Sequence, residues 1–186
     1  RLLDIIGVDY SDRAPDDFRN SPGARRMEAR HHENGKGVAH GDLNGDGYVD
    51  LVATNSSGPL WDGSLETITP ARGPIFVWIS DGGDNHWLTL RLKGRMAIDG
   101  TGSNADGIGA RVMLTTTREG RSEPLVQVQE VRAGSSYLSM DSVDLEFGLG
   151  AAAVVDEISV RWPSGRIQSL LDVPADQVVT IVEPLE

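Results

Sequence analysis

The sequence predicts an all-β protein, in which an antiparallel β-sandwich follows a smaller β-rich block. Three observations favour this fold class. Apolar and polar residues alternate with a period of two in the second half of the chain, and no segment there shows the 3.6-residue apolar repeat of an amphipathic helix. The 22 glycines and 9 prolines are scattered between short apolar runs, as turns between strands require. The 186 residues are enough for one sizeable core or two small ones.

The first block is predicted to cover residues 1–82. It begins with an apolar run at residues 2–8, and a polar stretch without either period follows at residues 9–36. We expect that stretch to cross the surface, with a helical part around residues 24–30. Short strands are then expected at residues 37–40, 51–54 and 74–80.

The second block, residues 84–184, has clearer strand signals. Leu88, Leu90 and Leu92 alternate with polar residues, which places the three leucines on one buried face. The same alternation predicts three further inward-facing sets, namely Ala110, Val112 and Leu114; Val143, Leu145 and Phe147; and Ile158, Val160 and Trp162. A turn at residues 163–165 leads to strands near residues 167–171 and 178–182, which completes the predicted sandwich.

Residues 42–50 carry the clearest chemical signal in the chain. Oxygen-bearing side chains stand at relative positions 1, 3, 5 and 9 of this segment, and position 7 can offer its backbone carbonyl. Ca²⁺ takes about 6–8 oxygen ligands, and alternating donors on a tightly curled segment converge on one point. The predicted calcium ligands are Asp42, Asn44, Asp46, Tyr48 through its carbonyl, and Asp50.

An EF-hand and a bare hairpin turn are the two alternatives for this loop. In an EF-hand the twelfth position is a bidentate Glu, but the twelfth residue from Asp42 is Ala53, and the flanks have the composition of strands. The loop is therefore not an EF-hand. A bare Asn-Gly or Asp-Gly hairpin turn without an ion is the second alternative. Four oxygen donors at odd spacing exceed what a turn alone requires.

Composition excludes some classes of function. The 17 basic and 28 acidic residues give a net charge of −11, which disfavours nucleic acid as a partner because phosphate binding depends on Lys and Arg. The chain has no cysteine, so disulfides and thiolate metal sites are excluded. No apolar run approaches the ~20 residues of a membrane span. Because the chain starts at Arg1 without a signal-like stretch, we expect a processed or partial chain.

The Asp-rich loop resembles a known calcium loop. The segment DLNGDGYVD (42–50), which follows small residues and precedes an apolar strand, is similar to the calcium loop of FG-GAP (VCBS-type) repeats, the blades of integrin-like β-propellers. This resemblance implies that residues 1–82 hold a single propeller-blade fragment. It also carries the same five residues over as ligands of Ca²⁺.

The second block resembles the ASPIC/UnbV domain, which commonly follows FG-GAP repeats. The motifs that carry the resemblance are NHWL (85–88), DGIGARV (106–112), EVRAGSSYLS (130–139), FGLG (147–150) and VRWPSG (160–165). The resemblance implies a secreted, periplasmic or cell-surface module for adhesion, binding or assembly, whose partner is a protein or a parent assembly. It supplies no established catalytic residues, and no hydrolase, nucleotide-binding or zinc-protease motif stands in the sequence. We therefore expect a protein that is not an enzyme.

Three less favoured functions stay open on sequence grounds. Exposed tryptophans could stack on a glycan, and the chain offers Trp61, Trp78, Trp87 and Trp162, although core filling is the default role of this residue. A pair of acidic residues could serve a hydrolase, but spacing singles out none. The histidines, His31, His32 and His40, have no partner at the spacing of a transition-metal site.

Overall fold

The computed structural model describes residues 34–56, 58–60, 69–71, 75–118, 120 and 122–185, and this part of the chain is nearly all β. The strands are β1 Asn34–Gly41, β2 Asp50–Ser56, β3 Gly58–Leu60, β4 Thr69–Ala71, β5 Ile75–Trp78, β6 His86–Lys93, β7 Arg111–Thr116, β8 Leu125–Glu130, β9 Leu145–Gly150, β10 Val154–Arg161, β11 Ile167–Pro174 and β12 Gln177–Val182. A 3-10 helix covers Arg95–Ala97. The predicted apolar run at residues 2–8 and the helix at residues 24–30 lie outside the described residues.

The strands form four sheets, which confirms the all-β prediction. The larger ones have the orders β11-β10-β7-β8, β12-β6-β9 and β1-β2-β5, and β3 pairs with β4. One pair differs from the antiparallel arrangement that we predicted, because β12 runs parallel to β6, with Val179 beside Leu90. Side-chain alternation has the same period in parallel and antiparallel strands, so the sequence pattern could not reveal this direction.

The core lies between the sheet β12-β6-β9 and the sheet β11-β10-β7-β8. All the residues predicted to face inward on β6, β7 and β10 are buried, and Leu88, Val112 and Ile158 are fully inaccessible. Trp162 and Phe147 are the largest buried side chains, each 1% exposed. Truncating either to Ala would cost about 3–5 kcal/mol, because a large cavity would remain. The sandwich prediction is therefore confirmed, including which residues of β6, β7 and β10 face the core.

Side chains join the two sheets where β8 and β9 meet. The Gln127 amide donates to the Gly148 carbonyl at 2.9 Å, and the Gln129 amide donates to the Glu146 carbonyl at 2.6 Å. These two bonds satisfy carbonyl groups of β9, which is the edge strand of its sheet among the described residues. They also fix β9, the strand that carries Glu146 next to the Asp-rich loop.

The chain divides into two compact units by its internal contacts. The first comprises residues 1–38 and 52–77, and the second comprises residues 39–51 and 78–186. The Asp-rich loop therefore clusters with the sandwich, whereas the sequence division into residues 1–82 and 84–184 groups it with the first block. The domain boundary stays a prediction. Within the described ranges, no helix is both long enough and apolar enough to cross a membrane.

Candidate functional site

The Asp42 carboxylate organises the first half of the Asp-rich loop. Its Oδ1 accepts hydrogen bonds from the N–H groups of Gly45 at 2.7 Å and Asp46 at 3.1 Å, and its Oδ2 accepts from Gly47 at 2.8 Å. Three successive N–H groups thus point at a single carboxylate. The curl follows from glycine, since Gly45 and Gly47 have φ of 78° and 87°, values that other residues rarely adopt.

Asn44 and Asp46 lie against each other on the exposed side of the curl. The Asn44 amide donates to Asp46 Oδ2 at 2.7 Å, and Asn44 Oδ1 accepts from the Asp46 N–H at 3.2 Å. Asp46 Oδ1 accepts from the Tyr48 N–H at 2.8 Å. The structure therefore brings together Asp42, Asn44 and Asp46, three of the five predicted ligands.

The other two predicted ligands anchor the loop. Asp50 is 1% exposed, and its two oxygens accept from the N–H groups of Leu43 and Ser80, both at 2.8 Å. The Tyr48 hydroxyl hydrogen-bonds to the carbonyl oxygens of Gly83 and Asn85, the second at 2.8 Å. Both residues thereby tie the loop to the segment that leads into β6.

Gly47 packs directly on an aromatic ring. A Cβ built on Gly47 would lie 1.9 Å from Cε2 of the Trp87 indole, so no larger residue fits without displacing the ring. Gly45, by contrast, has no atom of another part of the chain within 4 Å of such a Cβ. The loop therefore requires glycine at both positions for its backbone, and at Gly47 also for its contact with the sandwich.

The strand that enters the loop is held by the segment before β9. His40 donates its N–H to Asp141 Oδ1 at 3.1 Å, its Nε2 lies 3.3 Å from Asp141 Oδ2, and its carbonyl accepts from Ser142 at 2.9 Å. Glu146 lies beside this contact. Burial raises the pKa of Glu146, while His40, the Asp42 N–H and Ser142 act in the opposite direction.

The donor chemistry of the loop fits a hard cation, but the oxygens are not gathered around one. Asp42, Asn44, Asp46 and Asp50 offer only oxygen ligands, as Ca²⁺ prefers. Over the described ranges, no group of three or more His, Asp or Glu side chains is arranged to hold a metal ion. The carboxylates accept from backbone N–H groups instead. Asp42 Oδ1 already accepts two hydrogen bonds, whereas Asp42 Oδ2 and the carboxylate oxygens of Asp46 and Asp50 accept one each and keep a lone pair for a cation.

Two His–Asp pairs were not predicted from the sequence. His86 Nδ1 lies 2.7 Å from Asp176 Oδ2, and His40 pairs with Asp141. The partners stand 90 and 101 residues apart, so no local spacing could have indicated them.

Of the tryptophans, Trp162 is in the core and Trp87 covers Gly47, whereas Trp61 lies outside the described residues. His31 and His32 lie outside them as well.

Comparison with known protein families agrees with the two resemblances. Residues 34–67 match the FG-GAP repeat, and residues 100–186 match the family described as ASPIC and UnbV. The two matches stand in the order that the motifs predicted, with the FG-GAP repeat followed by the ASPIC and UnbV domain. FG-GAP repeats in general bind calcium and act as protein-interaction modules. The Asp-rich loop falls inside the repeat.

Two curated relatives are similar to this chain. Cartilage acidic protein 1 of Mus musculus is 25% identical over 185 residues, which are 100% of this chain and 24% of that protein. Cartilage acidic protein 1 of Homo sapiens is 25% identical over 169 residues, which are 91% of this chain and 21% of that protein. The chain thus spans less than a quarter of the length of these relatives.

Proposed function

Because the chain carries an FG-GAP repeat followed by an ASPIC and UnbV domain, we propose that it is a calcium-stabilised, non-enzymatic interaction module. It acts outside the cytosol, in a secreted, periplasmic or cell-surface setting, and it binds a protein partner or the rest of its parent assembly. The calcium ligands are Asp42, Asn44, Asp46, the Tyr48 carbonyl and Asp50.

The arrangement of Asp42, Asn44 and Asp46 on one curled segment supports the calcium site most directly. Three carboxylates within nine residues repel one another, and a divalent cation offsets that repulsion. Backbone N–H groups hold Asp42 and Asp50 in place before any cation arrives. Because the backbone is already curled, only side chains have to turn towards a cation, and less conformational freedom is lost on binding.

An exposed apolar turn supports the binding of a protein partner. Tyr137 and Leu138 are 65% and 85% exposed at the tip of a turn closed by Ser136 and Ser139, and Met140, just after the turn, is 47% exposed. Leu138 has φ of 52°, a strained conformation for a residue with a Cβ. Strained backbone and exposed apolar side chains concentrate at interaction sites.

Thermal unfolding in 2 mM Ca²⁺ and in excess EGTA tests the calcium site. With a dissociation constant near 10⁻⁴–10⁻³ M, 2 mM calcium should raise the free energy of unfolding by about 0.6–1.8 kcal/mol. Because a change of 1 kcal/mol moves the midpoint of a chain of this size by about 2–4 °C, a shift of several degrees is expected. Asp46→Ala should abolish the shift.

Asp84→Ala is the matched control for this experiment. Asp84 is exposed in the segment before β6 and outside the proposed ligand set, so the variant should keep the full calcium response. If wild-type protein unfolds at the same temperature in calcium and in EGTA, the loop is a bare turn. The interaction module would then have to work without calcium.

A further inference from the structure

The Asp-rich loop lies over one patch of the sheet β12-β6-β9, on the side away from the core. Trp87 and Thr89 point to that side of β6, and Glu146 is the direct neighbour of Thr89 on β9. Trp87 contacts Gly47 in the loop. At the other end of the loop, a Cβ on Gly41 would lie 3.8 Å from Glu146 Oε1 and 3.1 Å from Ser142 Cβ.

Glu146 brings a poorly compensated negative charge to this patch. Its side chain is half-buried, and none of the ion pairs in the described part of the chain includes it. The nearby Arg91 is engaged by Asp144 in a two-pronged pair, with Nε 3.0 Å from Oδ1 and Nη2 2.6 Å from Oδ2. Half-burial of a carboxylate that belongs to none of these ion pairs costs free energy, because burial disfavours the charged form.

Thr89 shows that the same patch has unused hydrogen-bonding capacity. It is 4% exposed, and its hydroxyl has no hydrogen-bond partner among the described residues. Buried hydroxyls without a partner are uncommon, since each has lost its hydrogen bonds to water without replacement. The sandwich thus keeps one carboxylate that belongs to no ion pair and one hydroxyl without a hydrogen-bond partner side by side in the described part of the chain, next to the Gly41 backbone that leads into the loop.

We propose that Glu146 is a positioning residue for the cation loop, through which the sandwich holds the Gly41 backbone that leads into Asp42 and adds negative charge to the site. This inference rests on the proposed calcium function. A cation in the loop compensates the charge of Glu146, and Glu146 in turn restrains the backbone directly before the first ligand. The calcium affinity of the loop therefore depends on a residue about a hundred positions further along the chain.

Terbium luminescence tests this role on the full chain. Tb³⁺ takes the same oxygen ligands as Ca²⁺, and Tyr48 and Trp87 stand close enough to the loop to sensitise its emission. Calcium competition against Tb³⁺ then gives the calcium affinity. Because loss of a residue that orients a metal ligand weakens binding by about 10–100-fold, Glu146→Gln should lower the affinity at least about tenfold.

Stability in EGTA separates positioning from plain structural support. Glu146→Gln keeps the shape of the side chain and removes an uncompensated charge, so the unfolding midpoint in EGTA should stay unchanged or rise. Glu123→Gln removes the same charge from the exposed connection between β7 and β8, and its affinity should match wild type. Glu146→Asp keeps the charge but moves the carboxyl group away from the loop. The calcium affinity of this variant should therefore lie between those of wild type and Glu146→Gln.

Three other outcomes would each contradict a specific part of the proposal. If wild type binds Tb³⁺ and Glu146→Gln binds it equally well, Glu146 has no role in the site, while the calcium loop stands. If the affinity and the midpoint in EGTA fall together in both Glu146 variants, the residue only supports the fold. If wild type shows neither terbium emission nor calcium competition, the calcium site and the role of Glu146 fail together.

Discussion

At the scale of single residues, Gly45 and Gly47 offer a matched pair for measuring how the loop contacts the sandwich. Both have positive φ, but only Gly47 faces an atom that a Cβ would strike, in the ring of Trp87. Gly45→Ala should therefore lose about 1 kcal/mol of stability from backbone strain alone. Gly47→Ala should lose about 2–4 kcal/mol, because strain and the displaced indole add up. Urea unfolding in EGTA measures both changes without a contribution from calcium.

Measuring Gly47→Ala in a Trp87→Ala background separates the two causes of its lost stability, which are backbone strain and the clash with the indole. Removing the indole leaves room for the new methyl group, so the cost of Gly47→Ala should fall towards that of Gly45→Ala. An unchanged cost in that background would show that the backbone conformation alone requires glycine. The contact with Trp87 would then be incidental.

At the scale of elements, a buried carboxylate joins the end of β12 to two loops. Glu183 is fully inaccessible, and it accepts from Ser103 N at 2.7 Å, Ser103 Oγ at 2.9 Å, Ser164 Oγ at 2.5 Å and Arg95 N at 3.1 Å. Arg166 Nη1 lies 3.3 Å away. Burial opposes ionisation, but the hydrogen bonds outweigh it and lower the pKa of Glu183 to about 2.

The lowered pKa of Glu183 predicts a loss of stability in acid. Its usual value is 4.5, so the charged form stabilises the fold above that pH, and this contribution disappears as the pH falls towards 2. The contribution is on the order of 3 kcal/mol. Glu183→Gln should be less stable than wild type at pH 7 and should lose less stability between pH 5 and 2. Urea unfolding across that range measures both effects.

Ser164→Ala is the companion variant for Glu183. It removes one hydroxyl donor and leaves the carboxylate in place. The pKa of Glu183 should therefore rise, and the loss of stability in acid should begin at a higher pH. If the pH profiles of wild type and Glu183→Gln run parallel, ionisation of Glu183 in the folded state is not what stabilises this junction.

At the scale of the whole molecule, the sequence revealed local features and missed those that depend on strand order. Alternation identified the buried faces of β6, β7 and β10, since a period of two is a local property. It could not show that β12 is parallel to β6, or that His40 meets Asp141 across 101 positions. The same limit applies to the candidate site. The Asp-rich loop is visible as a motif, whereas Glu146 becomes relevant only once β9 lies beneath it.

The clustering of residues 39–51 with residues 78–186 predicts how calcium stabilisation spreads. If this unit opens cooperatively, a cation in the loop should protect strands that it does not touch. Amides of Ile158 and Val160 in β10, which pair with β7 on the other sheet, should then exchange hydrogen about tenfold more slowly in 2 mM Ca²⁺ than in EGTA. Amides of Leu88 and Leu90 should slow by the same factor. Slowing confined to β6 and β9 would contradict the prediction, and it would show that the loop stabilises only the sheet on which it lies.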